Sequence, residues 1–259
     1  MAPSSQNPSN PAPGRDPAST VDAAEIARFE AMAAEWWDPD GRFRPLHRFN
    51  PERVRFVRDH ALARFGRDSG QAQPLSGLSL IDIGTGGGLM AEPMARLGAA
   101  VTAIDPSEKN IGIARTHAGQ MGLDIDYRAT TAEALAEQGL RFDIVLAMEV
   151  VEHVADVGVF LDAIAALAKP GGLVVLATLN RTFRSYALAI IGAEYVMRWL
   201  PVGTHDWNKF IPPEELSGLL SARGLTPAGT AGMIYNPISG RWRLGTDTGV
   251  NYLIAAEKP

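Results

Sequence analysis

The chain of 259 residues contains no cysteine. That excludes a disulfide framework, a thiolate metal site and a cysteine nucleophile. It also lacks any run of 18 uncharged apolar residues, so nothing reads as a standard membrane-spanning helix. Basic charge is scarce: 24 Lys and Arg against 29 Asp and Glu leave a net charge of -5. A broad nucleic-acid footprint is therefore not expected. Residues 1–20 have neither the apolar core of a secretory signal nor the repeated arginines of a mitochondrial presequence. Their Pro, Ser, Ala and Asn content predicts a disordered tail on a cytoplasmic chain. No internal repeat is visible. The 46% of hydrophobic residues suit one α/β domain with a full core and an ordered extension.

One stretch organises the rest: Leu80-Ile81-Asp82-Ile83-Gly84-Thr85-Gly86-Gly87-Gly88-Leu89. It reads as a strand running into a glycine turn. The next residues, through Leu97, carry apolar side chains at helical spacing. Glycines there allow positive φ and let a ligand approach bare backbone. The following helix N-terminus offers free N–H groups. A second strand, Ala100 to Ile104, ends in Asp105, about 20 residues beyond Gly84, where such folds hold a ribose by its hydroxyls. A dinucleotide fingerprint needs Gly or Ala where this chain has Leu89. Asp82, just before the first glycine, would repel a pyrophosphate and suit an ammonium group. S-adenosylmethionine carries an ammonium, a sulfonium and a ribose, and no phosphate. The pattern Asp82-x-Gly84-x-Gly86-x-Gly88 resembles the first motif of the Rossmann-like methyltransferases.

Ahead of this stretch, Val21 to Trp37 has a helical pattern that Asp22 can cap. A proline-broken extended segment follows over residues 43–51, then a helix from about Glu52 to Phe65 and a polar linker. Two readings of this N-terminal layer stay open. It packs on the core, or it forms a lid over the cofactor, with Arg48 reaching a carboxylate. Beyond Asp105 the pattern alternates helix and strand: a helix over 107–120, a short strand over 125–129, and a turn or short helix at Thr130–Leu135, near an adenine. The buried strand Phe142–Met148 comes next.

In open parallel sheets the carboxyl ends of strands line the site, so Met148 should face the cofactor. Just after it, Glu149, Glu152 and His153 hold i, i+3, i+4 spacing. One helical turn would put all three on one side. They could hold a divalent cation: oxygen ligands favour Mg²⁺ or Mn²⁺, and the imidazole admits zinc. Helix-terminal glutamates and a buried histidine explain the same spacing without a metal. His153 also suits a general base.

A helix over 156–168 and Lys169-Pro170-Gly171-Gly172 lead into the strand Leu173–Thr178. The connection over 179–211 is unusually apolar and aromatic. Within it, Phe183 to Leu200 reads as a core helix or as one lying in a membrane interface. His205, in the loop after it, is a second candidate base. A helix over 213–223, a weak strand over 226–234, a polar excursion over 241–249 and a last strand over 251–256 complete the chain. Consecutive strands with no helix between them predict an antiparallel edge hairpin.

Several segments together resemble the ubiquinone-biosynthesis O-methyltransferases. They are Phe29 through Trp36-Trp37-Asp38, Gly41 through Leu46-His47-Arg48 with Asn50-Pro51, Asp82 to Gly88, and Met148-Glu149 with Glu152-His153-Val154. Lys169-Pro170-Gly171-Gly172 and Thr178-Leu179-Asn180-Arg181 belong to the same set. The most specific block is Gly192-Ala193-Glu194-Tyr195-Val196-Met197-Arg198 with Gly203-Thr204-His205-Asp206. The resemblance runs from about Glu25 to the C-terminus.

It implies a class I methyltransferase fold: a mostly parallel seven-stranded sheet with an antiparallel C-terminal edge hairpin. Residues 1–21 would be a tail, 22–79 a helical lid and 80–259 the catalytic domain, with a substrate- and membrane-facing insertion at 179–211. It implies S-adenosylmethionine contacts at Arg48, Gly84, Asp105 and Met148, beside the glycine-motif residues Asp82 and Gly86. It favours Mg²⁺ at Glu149, Glu152 and His153, with His153 and Glu149 as catalytic groups. The implied partners are a polyprenylated catechol or demethylubiquinol, membrane lipid along 183–200 and a ubiquinone-biosynthesis complex. The location would be peripheral on the inner face of the cytoplasmic membrane. Another small phenol or quinone is the alternative acceptor. Thr85 stands where the family usually has cysteine.

Overall fold

Asp22 starts the first helix: its side chain accepts a hydrogen bond from the Ala24 amide at 2.9 Å, filling one unpaired donor of α1 (Ala23–Met32). A 3-10 turn at Ala33–Glu35 ends this segment short of the expected Trp37. The computed structural model describes residues 20–186, 206–236 and 239–259. The predicted apolar helix at Phe183–Leu200 lies outside them, except for its first turn, and so does His205.

The segment read as extended is helix. α2 (Arg44–Phe65) begins with a proline at its first positions and carries Pro51 inside. A proline at the first turn loses no hydrogen bond. Pro51 loses one, but Phe49, Phe56, Val57 and Ala61 bury one face of α2 in the core. Packing outweighs the local penalty here. Gly66, at φ 59°, stops the helix in the left-handed conformation.

The sheet then builds in βα steps: β1 (Ser79–Ile83), α3 (Ala91–Arg96), β2 (Ala100–Asp105), α4 (Glu108–Gln120), β3 (Asp126–Ala129), α5 (Ala132–Glu137), β4 (Phe142–Met148), α6 (Val157–Leu167) and β5 (Ala168–Leu179). A single helical turn, α7 (Phe183–Ser185), precedes the undescribed stretch. After it come α8 (Pro213–Ser221), β6 (Thr226–Asn236), β7 (Arg241–Gly245) and β8 (Asn251–Glu257). The strand order is β3-β2-β1-β4-β5-β8-β6-β7. The first five pair in parallel. β8 inserts antiparallel between β5 and β6.

The sequence predicts seven strands, and among the described residues the sheet has eight. The extra one is β7, expected as a polar excursion. Its Arg241-Trp242-Arg243-Leu244 alternates, with Trp242 and Leu244 packed toward the core. Strand period divides the interior the same way elsewhere. Leu80, Leu146 and Val175 face one cluster with α2; Ile81, Val145 and Leu176 face the other with α6 and α8. A third cluster joins Met32, Trp36, Phe43 and Leu89, and it seats the N-terminal layer on the loop after β1.

Candidate active site

The loop after β1 is shaped from below and covered from above. Gly84 and Gly86 sit at φ 68° and 54°, where a Cβ is strained. A side chain on Gly86 would also overlap the Trp36 ring, and one on Gly84 would collide with Val150. Trp36 stacks on Phe43 with centroids 3.7 Å apart, and its Nε1 donates to Asn110 Oδ1 at 3.0 Å. Trp37 Nε1 donates to the Gly87 carbonyl at 2.9 Å. The paired tryptophans thus fasten the N-terminal layer to the glycine loop.

Asp82 supports this loop from beneath. It is buried, lies off the cavity wall, and accepts a hydrogen bond from Thr85 Oγ1 at 2.6 Å. Burial pushes its carboxyl up to about 7, against the opposing pull of the Thr85 hydroxyl and Arg53. The expected contact with an ammonium is not where the structure places it. Asp105, at the end of β2, does line the cavity. Its Oδ2 accepts from the Gly86 amide at 3.0 Å. Its Oδ1 accepts from the Ser107 amide at 2.9 Å and from Asn110 Nδ2 at 3.2 Å. Burial raises its pKa and these donors oppose the rise.

A cavity of about 630 Å³ lies over the carboxyl ends of the strands. Gly84, Gly86, Asp105, Met148, Glu149, Glu152 and His153 all line it. Arg48 does not. It is exposed on α2, about 100° round the helix from Phe49. Arg53, four residues beyond Phe49, points inward instead. Its Nη2 lies 2.6 Å from Glu149 Oε1, and its guanidinium sits 4.3 Å from the Phe49 ring centroid.

The segment after β4 is a turn, so the helical spacing of Glu149, Glu152 and His153 does not apply. Glu149 has φ 56°, an uncommon value for a non-glycine residue. Each of the three has its own partner. Glu149 pairs with Arg53. Glu152 Oε2 accepts from Thr178 Oγ1 at 2.9 Å. His153 Nδ1 is 3.0 Å from Glu25 Oε2 on α1, and its ring stands edge-on to Phe29 at 5.3 Å. Burial, then the charge of Glu149, pushes the Glu152 carboxyl well above the usual range. The hydrogen bond to His153 holds the Glu25 carboxyl below its ordinary value. Among the described residues no three His, Asp or Glu side chains are grouped to hold a metal ion. Glu149 is held by Arg53, His153 by Glu25 and Glu152 Oε2 by Thr178, so the three side chains are not grouped here as the expected Mg²⁺ site needs.

The sequence reading missed Glu25, Arg53 and Asn251, as well as the far wall of the cavity, formed by Phe49, Tyr235 and Trp242. Signals existed for some. Glu25 and Phe29 are four apart on a helix, as are Phe49 and Arg53, and β7 alternates. Nothing local singled out Asn251.

The parallel sheet, the glycine turn after β1 and the acidic end of β2 define a class I S-adenosylmethionine-dependent methyltransferase. A methyltransferase-domain family model matches residues 46–228. The fold is similar to that of magnesium protoporphyrin IX methyltransferase from Synechocystis with bound S-adenosylhomocysteine. The TM-score is 0.61 at 20% identity, over 92% of this chain and 95% of that one. It is also similar to the N-methyltransferase NodS from Bradyrhizobium japonicum in complex with S-adenosylhomocysteine, with TM-score 0.59 at 18% identity over 91% and 98%.

Closer relatives are proteins named ubiquinone biosynthesis O-methyltransferase. That of Methylobacterium nodulans is 57% identical over 240 residues, 93% of this chain and 96% of the relative. That of Caulobacter vibrioides is 57% identical over 243 residues, 93% and 96%. The chain belongs to the ubiquinone biosynthesis O-methyltransferase family and is an S-adenosylmethionine-dependent O-methyltransferase.

Proposed function

We propose that the chain methylates a ring hydroxyl of a polyprenylated catechol or of a demethylated ubiquinol in ubiquinone biosynthesis. The observation that carries this reading is the shape of the cavity. One end is the glycine loop with Asp105, the other is the aromatic wall of Phe49, Tyr235 and Trp242, and the His153–Glu25 pair stands on the same cavity. Such a site suits a nucleoside cofactor beside a flat apolar acceptor.

When bound, S-adenosylmethionine supplies a methyl group on a sulfonium. Gly84 and Gly86 offer bare backbone, and Asp105 offers its carboxylate to ribose hydroxyls. Thr130 to Glu133, also on the wall, suit the adenine. Met148 walls the region where cofactor and acceptor meet. Arg48, outside the wall, and Asp82, beneath the loop, act on the cofactor only indirectly in this reading.

His153 takes the proton from the acceptor hydroxyl. The Glu25 carboxylate can only accept, so Nδ1 carries the hydrogen between them and the basic lone pair is on Nε2. Glu149, held by Arg53, lines the same cavity as His153. The leaving sulfide is neutral and needs no acid. Alignment at attack distance is the remaining task.

Mg²⁺ is a separate reading of the same residues. It requires Glu149 to leave Arg53 and His153 to leave Glu25. Loss of turnover in chelator, restored by Mg²⁺, would support it.

Peripheral contact with a membrane fits the prenyl tail. Phe183, 83% exposed, and Tyr186 stack beside Arg184, which lines the cavity. An apolar rim there suits a tail leaving toward lipid. Among the described residues no helix is long and apolar enough to cross a membrane.

The test is methyl transfer from labelled S-adenosylmethionine to a short-prenyl catechol and to demethylubiquinol, with lipid present. Methylation of either on oxygen supports the reading. Cofactor binding with neither methylated contradicts it.

A further inference from the structure

Asn251 opens β8 on the acceptor side of the cavity and lines it. Its Oδ1 is shielded from solvent and has no hydrogen-bond partner among the described residues. A buried acceptor left unmet costs about 1–3 kcal/mol, and in a native fold such an atom calls for a donor.

The residue is firmly placed. Its backbone pairs with Leu179 at the end of β5. The loop before it is tied down at successive residues. Asn180 Nδ2 donates to the Thr248 carbonyl at 2.9 Å, Thr182 Oγ1 to Gly249 at 2.6 Å, and the Asn180 amide to Val250 at 2.7 Å. Among the described residues Arg53 Nε and Glu152 Oε1 are also buried without partners, and both residues line the same cavity. The apolar complement is the wall where Trp242 meets Phe49 at 5.3 Å and Tyr235 at 5.0 Å between ring centroids. A flat ring fits against such a wall, and an edge hydroxyl is the missing donor.

We propose that Asn251 recognises the second, non-reacting hydroxyl of the acceptor. Its Oδ1 accepts that hydrogen bond while the ring lies against Trp242 and Phe49. The ligand class is a vicinal dihydroxyarene. Asn251 makes and breaks no covalent bond; it sets which hydroxyl is presented to His153 and discriminates against rings lacking the second hydroxyl. The inference rests on the catechol reading above.

The experiment compares kcat/KM for a short-prenyl catechol with that for the same ring lacking the second hydroxyl. The wild-type protein and Asn251→Ala are compared, with S-adenosylhomocysteine affinity measured by calorimetry as the check of folding. The wild type should prefer the catechol by about 10- to 100-fold. Asn251→Ala should shrink that preference to within about threefold of unity, mostly through KM. Asn251→Asp, which keeps an acceptor oxygen, should retain most of it. Should Asn251→Ala fail to bind S-adenosylhomocysteine, Asn251→Leu, of similar size, carries the comparison. A wild type indifferent to the second hydroxyl overturns the inference and leaves the catechol reading standing. So does a variant that loses rate equally on both rings. A wild type that methylates neither ring overturns both.

Discussion

The two halves of the sheet differ in how the polar groups at their strand ends are met. From β3 to β4 the strand-end carboxylates are already met by the protein: Asp82 by Thr85, Asp105 by Gly86, Ser107 and Asn110. From β5 to β7 the cavity wall is aromatic, and Asn251 Oδ1 is left unmet. In the proposed reading the first half takes one ligand that never changes, so its loop can be fixed before binding. The second takes the acceptor, and an unmet acceptor atom discriminates more sharply than an apolar surface does. β4 is the seam, and Glu149, Glu152 and His153 follow it in the chain.

The comparison breaks hardest at the glycine loop. Gly86→Ala adds backbone strain of about 1–3 kcal/mol and an overlap with Trp36 of about 1–3 kcal/mol. S-adenosylhomocysteine affinity should fall by about 100-fold or more in calorimetry.

Asp82 gives the next largest effect, up to about 4 kcal/mol at ~1.4 kcal/mol per pH unit. Its folded pKa of about 7 exceeds the unfolded 3.8. The native state therefore binds more protons in that window. Its contribution is fully present below pH 3.8 and is lost as pH rises through about 7. Asp82→Asn should remove this slope in urea unfolding between pH 4 and 8, leaving the variant more stable than wild type at pH 8. An unchanged slope would place the carboxyl in a wetter site.

At the seam, Arg53→Ala strands Glu149 and should cost about 3 kcal/mol of unfolding free energy, read from the denaturation midpoint. Trp242→Ala touches the acceptor half alone. It should raise the acceptor KM about tenfold and leave S-adenosylhomocysteine affinity unchanged. A cofactor defect in this variant would erase the division between the halves.

The same division governs what the sequence made legible. The cofactor half is written locally. Strand, glycine turn and acidic strand end follow one another within residues 80–105, and each residue type has a geometric reason to be there. The acceptor half is assembled from α2, β6, β7 and β8, far apart in the chain, so no spacing announces it. Trp242 was hidden in a segment read as a polar loop because two arginines flank it. Arg53 carried no signal because the prolines at 45 and 51 read as breaks, yet α2 runs through both and turns Arg53 to the same face as Phe49. The Glu149, Glu152 and His153 spacing misled because a positive φ at Glu149 replaces the helical turn. The N-terminal layer gave its helix and its Asp22 cap from sequence, but not the reach of Glu25 to His153, which spans 128 positions.

A crystal structure with S-adenosylhomocysteine and a short-prenyl catechol bound together would show which half of the sheet holds which ligand. The nucleoside should lie over the ends of β1 and β2. The ring should lie against Trp242, with one hydroxyl near His153 and the other at Asn251. A ring bound on the glycine-loop side, or a cofactor reaching across to β6 and β7, would contradict this division.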